Sequence, residues 1–183
     1  MHSIPLELAS PRNEADFERM CAHVYGVVFN DRTPKINGRR GQAQGGIDVF
    51  VKDSAIGRVG IQCKKYTTKP VTWQNVLDEV EKADKFSTPI KKMILATTAP
   101  NDAVLLKQVQ ELSDRREAAG CFPVEIEFWD DICLRIEQYP VLQDSYAPSA
   151  PGAAYHRQDE PPRVLRRLKS LRGLSHEVEQ VFP

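Results

Sequence analysis

Apolar and polar positions alternate most regularly between Ile47 and Lys64. Ile47, Val49 and Val51 alternate with Asp48, Phe50 and Lys52, and Val59, Ile61 and Cys63 alternate with Gly60, Gln62 and Lys64. A period of two sends successive side chains to opposite faces of a strand. Two strands are therefore predicted, joined by a hairpin turn over Asp53 to Gly57. Gln62 and Lys64 share a face opposite an apolar one. An antiparallel hairpin brings Asp48, on the less apolar face of its own strand, close to both.

Elsewhere the period is helical or absent. Phe17, Met20, Cys21 and Val24 form one stripe of a helix capped by Ser10 or Asn13 and running to about Tyr25. Glu14 and Glu18 lie one turn apart on a flanking face. Val27 to Phe29 reads as a short first strand. Thr72 caps a second helix through about Phe86, with Val76, Leu77, Val80, Ala83 and Phe86 on its buried face. Its charged residues, Glu79 among them, are expected mostly in solvent, and Trp73 reads as packing. Gln74 near its start is a further polar candidate. Lys92 to Thr98 is a nearly continuous apolar run, as in a central strand covered on both faces. Asn101 or Asp102 opens a helix that stops at Gly120, a strand follows over Val124 to Trp129, and a short helix covers Asp130 to Glu137. The order strand, helix, strand, helix implies right-handed crossovers within a mixed sheet. The chain thus divides into an arm (1–12), one α/β domain (13–145), a Pro-rich linker (146–162, with the change of character beginning at Pro140) and a helical tail (163–183). The tail has a basic face and reads as a packing or oligomer contact.

Composition narrows this picture. Lys and Arg total 25, Asp and Glu total 25, and the formal net charge is zero, which argues against a wholly basic nucleic-acid coat. A local basic face remains open: Arg39 and Arg40 sit in a Gly-rich loop before Asp48, and Lys65 and Lys69 follow Lys64. Arginines and backbone N–H groups of such a loop suit phosphate contacts, as they also suit a loop with no partner. Cys21, Cys63, Cys121 and Cys133 have no metal-ligand spacing and are expected as reduced core thiols. No secretory signal or membrane-length apolar run is visible, so a cytoplasmic setting is expected.

The hairpin carries the candidate chemistry. The Asp48 carboxylate, the Gln62 amide oxygen and the Cys63 carbonyl are hard donors suited to Mg²⁺ or Mn²⁺. Lys64, two residues beyond Gln62, can orient an attacking water or stabilise charge on a phosphate. Asp…Gln-x-Lys alone also fits an exposed strand with ordinary polar residues.

Gly45-Gly46-Ile47-Asp48-Val49 followed by Ile61-Gln62-Cys63-Lys64-Lys65-Tyr66 resembles the PD-(D/E)XK nuclease superfamily, and within it the Mrr-like restriction endonuclease branch, where Gln often replaces Glu. The resemblance covers roughly Asn13 to Tyr139. It implies a restriction-endonuclease-like core, a mixed sheet flanked by helices, and metal-dependent hydrolysis of double-stranded DNA, in restriction or anti-phage defence. By the same resemblance Asp48 and Gln62 hold the metal with the Cys63 carbonyl, Lys64 is catalytic, and Glu18, in a matching Phe-Glu pair, completes the acid cluster. A sensor domain or protein and a homo-oligomer are the implied partners. The competing reading is a catalytically inactive module of this fold that binds DNA or a protein; the neutral Gln62 favours it, and Asp48 with Lys64 opposes it.

Overall fold

The computed structural model describes residues 8–38, 46–66 and 70–146. Helix α1 (Glu14–Val28) starts at Asn13, whose side chain accepts the N–H of Asp16 at 2.9 Å. Phe17, Met20, Cys21 and Val24 form its buried stripe, as their spacing predicts. The helix continues through Val27 and Val28, so no strand forms over Val27 to Phe29. The stop is Asn30, in the left-handed region with φ 52°. The N–H of Asp31 reaches the Gly26 carbonyl at 2.8 Å, and that of Asn30 the Val27 carbonyl at 3.1 Å. Those two bonds satisfy end carbonyls of the helix and outweigh the β-preference of two valines.

Strand β1 (Lys35–Ile36) pairs antiparallel with β2 (Val49–Asp53), and β2 with β3 (Gly57–Lys64), Val49 facing Ile61 and Asp53 facing Gly57. The Asp53 carboxylate accepts the N–H groups of Ala55 at 2.8 Å and Ile56 at 2.7 Å, which shapes the hairpin turn. Helix α2 (Trp73–Asp84) is capped reciprocally by Thr72 and Asn75. Strand β4 (Lys92–Thr97), helix α3 (Ala103–Ala118, capped by Asp102) and strand β5 (Val124–Glu127) complete two parallel crossovers. The last strand ends two residues earlier than its alternation suggests. The Asp131 carboxylate accepts the N–H of Phe128 at 2.9 Å and helix α4 (Trp129–Gln138) begins there.

The five strands form one mixed sheet in the order β1-β2-β3-β4-β5. Helices α1 and α4 cover one face, against Val49, Val51, Ile61 and Ile94; α2 and α3 cover the other, against Met93, Leu95 and Val124. Successive crossovers of one hand, leaving parallel strands in one direction, put both of their helices on the same side. The architecture is α/β, a mixed sheet flanked by helices.

Four details depart from the sequence reading. Ile47 packs in the core under α2 rather than with Val49 and Val51, because regular pleating begins only at Val49. Cys121 is exposed beyond the end of α3, whereas Cys21, Cys63 and Cys133 are buried; all four are free thiols. Pro140, instead of opening the linker, occupies the first position of helix α5 (Pro140–Tyr146), where a missing N–H costs nothing. Leu142 of α5 is fully buried, and the Tyr146 hydroxyl lies 3.0 Å from His23 Nδ1, so the domain includes Tyr146. At the other end, Leu8 of the expected arm packs on the core and its carbonyl accepts Trp129 Nε1–H at 3.3 Å. The rest of the linker and the helical tail lie outside the described residues. Among the described residues no helix is long and apolar enough to cross a membrane.

Candidate active site

Gly46 (φ +78°) turns the chain where α2 crosses it: a Cβ there would stand 2.7 Å from Lys82 Cβ and 3.1 Å from the Glu79 carbonyl oxygen. Only glycine allows both the conformation and the close approach. Two residues later Asp48 is fixed through its backbone on both sides. Its N–H donates to the Ile61 carbonyl at 2.9 Å, and its carbonyl accepts the N–H of Asn37 at 2.7 Å. The Asn37 side chain also donates to the Ile47 carbonyl at 2.8 Å. Asn37 follows a strand of two residues, too short to show alternation, and it escapes a reading based on periodicity.

The Asp48 side chain extends the sheet ladder beyond β2. Its Oδ2 accepts Gln62 Nε2–H at 2.7 Å and the backbone N–H of Cys63 at 2.8 Å. The N–H and C=O of one strand residue leave by the same edge. The Cys63 carbonyl is thereby directed to the Asp48 side, as its expected ligand role requires. The Cys63 side chain points into the core beside Cys21, where burial raises its thiol pKa. Gln62 is buried, and its Oε1 has no hydrogen-bond partner among the described residues. An unpaired buried amide oxygen is costly, and it stands beside a buried carboxylate.

Burial, the largest cause, raises the Asp48 pKa from 3.8 to about 6; the Cys63 N–H and Lys64 lower it, and Glu18 and Glu79 raise it further. Glu18, half-buried on α1, therefore bears on Asp48 from one face of the sheet and Glu79 from the other. Glu79 was expected in solvent. It is buried, with Lys64 Nζ at 2.9 Å and Lys82 Nζ at 2.8 Å from its Oε1. Its signal was present in the pattern: position 79 falls within the buried stripe of Val76, Val80 and Ala83. A charged residue at a core position of a helix needs a partner, and Glu79 has two, Lys64 and Lys82.

The remaining candidates separate from this cluster. Gln74 is exposed and bonds Asp78 at 2.7 Å. Glu14 is exposed in the first turn of α1. Lys65 is half-buried just past β3. Arg39, Arg40 and Lys69 lie outside the described residues. Trp73 is half-buried against the core under α2, which fits packing.

The donors gathered around Asp48 are one carboxylate, one unpaired amide oxygen and a main-chain carbonyl. Among the described residues no three His, Cys, Asp or Glu side chains form a group able to hold a metal ion. The set nonetheless suits Mg²⁺, which is commonly bound through one or two carboxylates and keeps its other positions for water and substrate phosphate. The unpaired Gln62 Oε1 and the destabilised Asp48 charge would both gain from a cation. Comparison of the chain with protein-family models, with curated proteins and with solved structures finds no match.

Proposed function

We propose that the chain is a Mg²⁺- or Mn²⁺-dependent endonuclease of restriction-endonuclease-like fold, hydrolysing phosphodiester bonds of double-stranded DNA. The observation that carries the proposal is the convergence of Gln62 Nε2 and the Cys63 N–H on one buried Asp48 oxygen, with Lys64 next along the same strand. Of the motif Asp…Gln-x-Lys, Asp48 and Gln62 are thus bonded directly, and Lys64 bears on Asp48 by its charge while paired with Glu79. The cluster lies at the carboxyl end of β3, where open α/β sheets commonly bind ligands.

Asp48, Gln62 and the Cys63 carbonyl would hold the metal. When bound, it supplies positive charge to the phosphate oxygens and acidifies a water. Lys64, a third exposed, reaches both the cluster and solvent. Its ammonium orients the attacking water and opposes the charge that develops on the phosphate. Glu18 adds negative charge that favours a cation at Asp48. Hydrolysis breaks one P–O bond in line with water's attack. The resemblance of the motif favours a 5′-phosphate and a 3′-hydroxyl as the products.

The direct test is incubation of supercoiled plasmid with the protein and Mg²⁺ or Mn²⁺, beside a chelator control. Nicked and linear forms that vanish with chelator support the proposal. DNA binding without cleavage under either metal supports the inactive binding module instead.

A further inference from the structure

Lys64 has two anions within electrostatic reach, Asp48 and Glu79, and it is bonded to the second. Glu79 is itself held from two sides: its side chain is 8% exposed, and Lys82 Nζ approaches the same oxygen at 2.8 Å. The approach of α2 to Gly46 fixes how near Glu79 stands to the Asp48 turn, since the Glu79 backbone is part of that contact. A flexible lysine side chain beside a buried carboxylate would otherwise close on it. An ammonium on Asp48 would occupy the charge that a metal needs.

We propose that Glu79 is a positioning residue, holding the Lys64 ammonium away from Asp48 so that the Asp48–Gln62 oxygens stay open to a divalent cation while Lys64 stays aimed at the reacting water. The proposal rests on the nuclease reading for the role of Lys64 and extends it to a residue on another element. Glu79 acts through Lys64 and touches neither metal nor DNA. Lys82, more exposed, steadies Glu79 from the solvent side.

A double-mutant cycle read by calorimetric Mn²⁺ titration tests this on the full chain. Glu79→Gln keeps the shape of the side chain and removes its charge. It should weaken Mn²⁺ binding about tenfold or more, as loss of an outer partner of a metal site does, and lower the cleavage rate at saturating metal. With Lys64→Ala in place the competing ammonium is gone, and adding Glu79→Gln should cost far less Mn²⁺ affinity than in wild type, only the direct effect of the Glu79 charge on Asp48 remaining. Glu79→Asp, which keeps the charge but draws it back, should fall between wild type and Glu79→Gln. Melting curves confirm that each variant is folded. Should Glu79→Gln alone fail to fold, Glu79→Asp takes its place in both backgrounds, with a loss expected in wild type and little with Lys64→Ala. Equal loss of affinity in both backgrounds would overturn the proposal, since Glu79 would then act on the metal directly. No loss in either background would overturn it too. Because Mn²⁺ affinity is read without DNA, a wild-type protein that binds Mn²⁺ but cuts nothing defeats the nuclease reading separately.

Discussion

The Asp48 carboxylate is disfavoured as an anion by its surroundings. Burial lifts its pKa from 3.8 to about 6, so between those values the folded state binds more protons than the unfolded state. The slope of unfolding free energy with pH is then negative. Its contribution is most favourable below pH 4 and is lost as pH rises through 6, by about 3 kcal/mol in all. Asp48→Asn keeps an oxygen for the Gln62 and Cys63 N–H groups and removes the charge. Without metal, the variant should therefore unfold at a higher denaturant concentration than wild type at pH 8, and the gain should vanish near pH 4. Mn²⁺ should stabilise wild type and not the variant. A variant no more stable than wild type at pH 8 would mean that the Asp48 charge is not strained. The polar members of this cluster were legible to different degrees. Asp48, Gln62 and Lys64 were singled out by strand period together with the hairpin gap and the motif's resemblance, although regular pleating begins only at Val49. Glu79 was legible only by asking why a charge occupies a core position, and Asn37 not at all.

Among the elements, α2 is the one whose placement shapes the site. It contributes Glu79 and Lys82 and packs against the turn at Gly46. Gly46→Ala places a non-glycine residue at φ +78° with its Cβ 2.7 Å from Lys82 Cβ. A backbone conformation of that kind costs about 1–3 kcal/mol by itself. Urea unfolding should show a loss in that range or larger, and Mn²⁺ affinity should fall with it as α2 is displaced. A loss under about 0.5 kcal/mol, the usual size for an inconsequential surface change, would mean that the turn and α2 yield freely. Helices α1 and α2 were legible from a buried stripe, β3 from its alternation, β4 from an apolar run buried on both faces, and α3 from its cap and its stop at Gly120. The errors fall on segments without a period. Val27 and Val28 were drawn into α1 by backbone bonding around Asn30, and β1 is held by pairing with β2. Trp129 was taken into α4 by the Asp131 cap, and α5 formed where Pro140 pointed to a break. In each, turn chemistry or a tertiary contact outweighed the propensity of a few residues.

Across the whole molecule, the sheet lies between two apolar layers, and its polar cluster sits at one end, between Glu18 on α1 and Glu79 on α2. The chain has no net charge, so the proposed DNA binding would have to come from a local basic surface, with one lysine contributing a limited share of it. Function is accordingly best tested at the reacting atoms rather than by binding. In the proposed reaction Asp48 holds the metal and Lys64 acts on the transition state. The decisive measurement is the rate at which Lys64→Ala converts supercoiled plasmid, at a Mn²⁺ concentration that calorimetry shows to saturate it. The rate should fall about a hundredfold or more below wild type, the usual consequence of losing one electrostatic stabiliser, with metal still bound and DNA affinity only modestly lower. Cleavage by Lys64→Ala at the wild-type rate would contradict the account.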